Sequence, residues 1–139
     1  MSLFLLDTDH LTLYQMGHPQ LVKNVALHMT DQLARSVITV EEQLTGWQRA
    51  LHQAKDDARR EHIYQRMALA VETLSGWLVL PLTRAALTHH ALLVRQRLNV
   101  GSNDLKIAAT ALEHNAIVVT RNLRDFGRVP GLSCQDWSV

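Results

Sequence analysis

The sequence predicts an α/β protein with a mostly parallel sheet, on three observations. Four short, largely apolar runs, at residues 3–6, 34–38, 77–80 and 116–119, do not alternate, and all but the second, which holds Arg35 and Ser36, are unbroken, the pattern of strands covered on both faces. Between them, apolar residues recur at three-four spacing, the period of helices with one buried face. The alternation runs from end to end with no Pro/Gly/Ser-rich linker, repeat or low-complexity tract, so residues 1–139 read as a single domain.

Taken in order, the first run, Leu3 to Leu6, stops at Asp7-Thr8-Asp9, where the acids either start a solvated loop or cap a helix. Leu21, Val25 and Met29 share a helical face. The second run leads into Thr39-Val40-Glu41-Glu42. Val40, Leu44, Trp47, Leu51, Ala54 and Ala58 then repeat at helical spacing, as do Ile63, Met67, Ala70, Leu74 and Trp77. With the charged "KDDARREH" joining them, residues 40–76 read as a long antiparallel helical pair, with Trp47 and Trp77 in the core. After the third run comes "PLTR", which holds no acid. Helices fit residues 84–98 and 104–114, the fourth run leads into "TRNLRD", "GRVPG" is a turn, and "LSCQDW" reads as a short edge strand.

Composition narrows the function classes. A formal net charge of +1 provides no global basic field, so any nucleic-acid site has to be a local patch. The single cysteine, Cys134, excludes an internal disulfide and a cysteine-type zinc site. The first apolar run has no basic residue before it and is too short for a signal peptide or a membrane span, so a cytoplasmic protein is expected. No His-x-x-x-His or His-Glu-x-x-His pair occurs, and His89 and His90, adjacent on a helix, point about 100° apart. No glycine-rich phosphate loop follows any strand.

In a parallel sheet, ligands bind beyond the carboxyl ends of the strands, and that is where the acids fall. Asp7 and Asp9 follow the first run, Glu41 and Glu42 the second, Asn122 and Asp125 the fourth, and Asp104 opens a helix. Each has a structural reading. Thr39 and Glu42 form a Thr-x-x-Glu capping box. Asp104 complements the helix dipole, with Ser102 or Asn103 as cap. Asp125 is a loop acid facing Arg124 or Arg128. Against these stands the collective reading: carboxylates gathered at one sheet edge repel one another unless a cation binds, and oxygen-only ligation suits a hard ion such as magnesium or manganese.

At this point the chain resembles a known family. "FLLDTDHL", "SVITVEEQLTGW" and "GSNDLKIAATALEHNAIVVTRNLRDFGRVPGLSCQDW", in that order and spacing, resemble the PIN-domain ribonucleases, specifically the VapC-type toxins of bacterial toxin–antitoxin pairs. The resemblance implies a three-layer α/β/α sandwich. It implies Mg²⁺ or Mn²⁺ held by Asp7, Glu42 and Asp104, with Asp125 as a further catalytic acid. Asp9, Thr120 and Asn122 would orient metal or substrate, and Lys106, Arg121, Arg124 and Arg128 are candidates for contacting RNA phosphates. It further implies endonucleolytic RNA cleavage, a homodimer, and a VapB-like antitoxin that wraps the toxin along the helical pair and blocks the acids.

Two positions depart from the family pattern. Asp9 stands where Asn is often found, and Asn122 where many PIN domains carry an acid. Two other readings compete. A haloacid-dehalogenase-like phosphatase would use Asp7 as nucleophile and Asp9 as acid, but leaves Glu42 idle and expects a lysine and a later paired-Asp motif. A PIN-like binding module without activity would have no use for Asp7, Glu42 and Asp104 together.

Overall fold

The computed structural model describes all residues, Met1–Val139. Five strands, β1 (Leu3–Leu6), β2 (Gln32–Ser36), β3 (Leu78–Leu80), β4 (Ile117–Val119) and β5 (Ser133–Gln135), form one sheet in the order β3-β2-β1-β4-β5. Every neighbouring pair is parallel. Seven helices cover it: α1 (Thr8–Gln15), α2 (Pro19–Leu27), α3 (Val37–Gln53), α4 (Asp57–Thr73), α5 (Arg84–Arg95), α6 (Ser102–His114) and α7 (Leu123–Phe126).

The unbroken apolar runs have a simple physical origin. Alternate residues of one strand enter different cores. Leu5, Ala34 and Val118 join a core with Leu93, Ile107 and Phe126 from α5, α6 and α7. Phe4, Leu6, Leu33 and Val119 join the opposite one, with Leu11 of α1, Leu21 and Val25 of α2, Leu74 and Trp137. The result is the expected α/β/α sandwich.

Several boundaries differ from the sequence reading. β2 ends at Ser36, and Val37 and Ile38 begin α3 rather than ending a strand. The cause is a cap: the Ser36 hydroxyl accepts from the Ile38 N–H at 2.9 Å, overriding the strand preference of two β-branched residues. This also corrects the capping-box reading, because Thr39 lies inside the helix. The helical pair spans α3 and α4, but "KDDARREH" is mostly helix. The break is confined to residues 54–56, where Asp56 caps α4 by accepting from the Arg59 N–H at 2.8 Å. α5 stops at Arg95, ahead of Arg97 and Asn99, which adopt positive φ of 53° and 61°. Helices α1 and α7 had no clear apolar period to announce them. Trp77 packs against the second core and stacks on Tyr14. Trp47 belongs to neither core; half-buried, it lines a groove between α3 and α4.

Candidate active site

The sheet order turns back on either side of β1, so the carboxyl ends of β1 and β4 flank a topological switch point, where a parallel sheet opens a crevice. A cleft of about 700 Å³ lies there, and no hydrophobic residue lines it. Asp7, Glu42, Asp104, Asp9, Arg121 and Asn122 are among its walls.

Asp7 follows β1 directly and caps α1: its Oδ1 accepts from the His10 N–H at 2.9 Å. Its Oδ2 accepts from the Thr120 hydroxyl at 2.6 Å, and the Thr120 oxygen in turn accepts from the Asn122 N–H at 2.9 Å. Despite these donors, burial pushes the Asp7 carboxyl up to about 6, with the charges of Asp9 and Asp104 acting in the same direction. Glu42 lies on the second turn of α3, and its Oε1 accepts from the Thr8 hydroxyl at 2.8 Å. Thr8 has one proton to give, so the 2.9 Å contact between Thr8 and Thr39 is donated by Thr39. Thr8, which the sequence does not single out, therefore orients Glu42 directly, and Thr39, expected as its capping-box partner, acts on it through Thr8. The available signal was position: Thr8 lies between the two acids, and Thr39 one helical turn before Glu42.

Asp104 enters the cleft from the first turn of α6, whose cap is Gly101, not Ser102 or Asn103. It makes no side-chain capping bond. Burial raises its pKa first, and the charges of Glu42 and Asp125 raise it further. Asp125 itself does not line the cleft. Its Oδ2 accepts from Asn122 Nδ2 at 3.0 Å and its Oδ1 from Arg128 at 3.2 Å, so it reaches the site through its charge on Asp104. Asn122 caps α7.

Asp9 is tied up by Arg121, whose Nε and one terminal nitrogen donate to its two oxygens at 2.8 and 3.2 Å. That fork occupies both oxygens of Asp9, which a phosphatase would need free for its leaving group, and no lysine lines the cleft. Of the four cations singled out by sequence, only Arg121 faces this space. Arg128 is turned to the Asn99 carbonyl and Asp125, and Lys106 and Arg124 lie outside the cleft.

The donor set suits a hard divalent cation: four carboxylates, of which Asp9 is taken by Arg121, with hydroxyls and an amide, and no sulfur or imidazole facing the space. Asp7, Glu42 and Asp104 share the cleft without forming a ready cage of ligand atoms. Burial first, and the neighbouring carboxylate charges after it, raise the pKa values of Asp7 and Asp104, and a bound cation would offset both costs.

Comparisons with known proteins agree with this architecture. A PIN-domain family model matches residues 5–132. The chain is 27% identical to Ribonuclease VapC1 of Haemophilus influenzae, over 98% of each protein. It is 29% identical to the tRNA(fMet)-specific endonuclease VapC of Salmonella typhimurium, over 96% of this chain and 97% of that one. Among solved structures, DNA-bound VapBC from Salmonella typhimurium superposes with a TM-score of 0.78 at 30% identity, covering 99% of both chains. The fold is likewise that of VapBC2 from Rickettsia felis, with a TM-score of 0.80 at 24% identity, covering 97% of this chain and 98% of that one.

Proposed function

Because the chain belongs to the PIN-domain family, we propose that it is the ribonuclease toxin of a VapBC-type toxin–antitoxin pair, and that it hydrolyses RNA phosphodiester bonds with a divalent cation bound in the acidic cleft. The observation that carries the reading is the delivery of Asp7, Glu42 and Asp104 to one polar cleft from three separate elements.

Asp7, Glu42 and Asp104 would hold the ion, Mg²⁺ or Mn²⁺. When bound, such an ion acidifies water and neutralises charge building on the phosphate and the leaving oxygen. The chain's own contribution is to hold the ligands in place. The Thr120 hydroxyl and the His10 N–H fix both oxygens of Asp7, and Thr8 fixes one oxygen of Glu42, leaving its other oxygen and both of Asp104 free. The Asn122 amide at the wall can donate to or accept from a polar group of the substrate. Arg121, half exposed at the lip, offers positive charge to a phosphate in an otherwise acidic space.

The partner is a VapB-like antitoxin, as the solved VapBC neighbours suggest, and in this reading it covers the acids. An antitoxin segment seated in the groove of about 490 Å³ between α1, α3 and α4, with Met16, Leu69 and Ala70 along it, would reach Thr8 and Glu42 at the edge of the cleft and exclude substrate from the same surface. A homodimer belongs to the same proposal. No helix is long and apolar enough to cross a membrane.

The test is cleavage of cellular RNA by the purified protein. Activity is expected with Mg²⁺ or Mn²⁺, and none is expected with EDTA or in the Asp7→Asn protein. Full activity in EDTA would remove the metal from the mechanism, and a phosphorylated aspartate trapped from a phosphomonoester would move the protein to the phosphatase class.

A further inference from the structure

The acidic cleft does not end at its own walls. It shares Thr8, Thr12 and Glu42 with the groove between α1, α3 and α4. That groove shares Trp47 and Arg66 with an outer pocket of about 150 Å³ between α3 and α4, where Ala50, Arg59, His62 and Ile63 complete the lining. Three depressions thus form one continuous channel. Arg59, His62 and Arg66 stand three and four residues apart, on one face of α4. From Arg59 to Arg66 the helix runs about 10 Å.

The charges in this outer stretch are uncommitted. Arg60 pairs with Asp57 and bonds the Ala54 carbonyl, and Asp56 takes the Arg59 backbone N–H, but the Arg59 and Arg66 guanidinium groups make no hydrogen bond or ion pair within the chain. Trp47 is outside both cores, with part of its indole open to the groove. Free cations beside an open aromatic face are the components of a single-strand nucleic-acid track: cations follow the phosphates and the ring stacks a base.

Electrostatics gives such a track a purpose. A cleft lined by four acids repels a polyanion, and the chain's net charge is only +1. Attraction has to come from cations flanking the acids. Arg121 supplies it on one lip, and the α4 arginines supply it along the channel leading away.

We propose that the α3–α4 groove is the track for single-stranded RNA running away from the acidic cleft, with Trp47 as a base-stacking platform and Arg59 and Arg66 as phosphate contacts. The assignment rests on the nuclease reading and adds to it a binding surface outside the acidic cleft.

The experiment measures binding of a short fluorescein-labelled single-stranded RNA of mixed sequence to the Asp7→Asn protein, by anisotropy over a series of salt concentrations. Arg59→Ala and Arg66→Ala, both at exposed positions, are each expected to weaken binding and to reduce the salt slope by about 0.7, the value for one phosphate contact on a single strand. Trp47→Leu is expected to weaken binding roughly 5- to 100-fold with the slope unchanged, and Trp47→Phe to recover part of it. Unchanged affinity and slope in both arginine variants, with RNA cleavage intact in the parent, overturns the track and leaves the nuclease. If the parent neither binds nor cleaves RNA, both readings are overturned. If the arginine substitutions spare RNA binding but weaken the complex with the co-expressed antitoxin, these arginines serve the protein partner alone and the proposal is overturned.

Discussion

Asp7→Asn in the metal-free protein is expected to raise stability at neutral pH. Asp7 is buried, and its folded-state pKa of about 6 lies above the ordinary 3.8. That displacement corresponds to about 3 kcal/mol, at 1.36 kcal/mol per pH unit. The sign follows from linkage: the folded state holds the proton more tightly, so the stability this group contributes is fully present below pH 3.8 and is lost as pH rises through about 6. At pH 7.5 the buried carboxylate is therefore a full liability. Asparagine removes the charge and caps α1 equally well. It presents one acceptor where Asp7 uses two, toward His10 and Thr120, a loss of about 1 kcal/mol. The net gain is about 2 kcal/mol, roughly 6–10 °C in Tm for a chain of this size. Urea titrations in EDTA at several pH values measure it. The gain should shrink from pH 7.5 toward pH 4, and manganese should stabilise the parent while leaving the variant nearly unmoved. An Asp7→Asn protein no more stable than the parent at pH 7.5 in EDTA would refute the reasoning, since the carboxylate would then be compensated by something other than a cation.

Glu42→Gln and Asp104→Asn should each cut RNA cleavage by about 100-fold or more with unchanged circular dichroism; parental activity in either would remove that residue from the site. Thr120→Val takes away the 2.6 Å donor to Asp7, so the Asp7 pKa should rise further, the acid limb of the rate profile should move to higher pH, and metal affinity should fall about 10- to 100-fold. A pH profile identical to the parent's would show that this hydrogen bond does not tune the acid. Asp125→Asn should weaken manganese-dependent cleavage less than Asp7→Asn does, because Asp125 acts on Asp104 at a distance; equal losses would make it a direct ligand. Asn122→Ala should reduce activity about 10- to 100-fold, and parental rates would reduce the β4–α7 loop to a matter of shape.

How much of this was legible in the sequence depended on the kind of signal. The sheet was readable because strands buried on both faces leave unbroken apolar runs, and Leu5 and Leu6 do enter opposite cores. The acids were readable because strand ends and a helix start place Asp7, Glu42 and Asp104 at one edge, and all three line one cleft. Helix α1 was hidden because only His10 and Leu11 of its residues are buried, too few to establish a period. The start of α3 was misplaced because Ser36, as a cap, outweighs the strand preference of Val37 and Ile38. The support of Glu42 by Thr8 and Thr39 is a contact between segments more than thirty residues apart, which no local pattern encodes. For the same reason Trp47, at core-like spacing on α3, was assigned to the interior: the helix it faces presents arginines as well as Ile63.

The hydrogen bond from Thr120 to Asp7 spans 113 positions of sequence. During synthesis, β1 leaves the ribosome first and carries its acid with it, yet at that stage the acid has none of the scaffold that shapes it. Glu42 and its threonine supports can meet early. Asp104, and then β4 with Thr120 just after it, arrive only when most of the polypeptide is out, and β4 must still insert beside β1 in a parallel pairing, a non-local and slow step. The far segment adds a last tie, as the Trp137 N–H reaches the His10 ring. Topology therefore imposes a delay of its own: the acids meet in one cleft only as folding finishes, after most of the chain has been made.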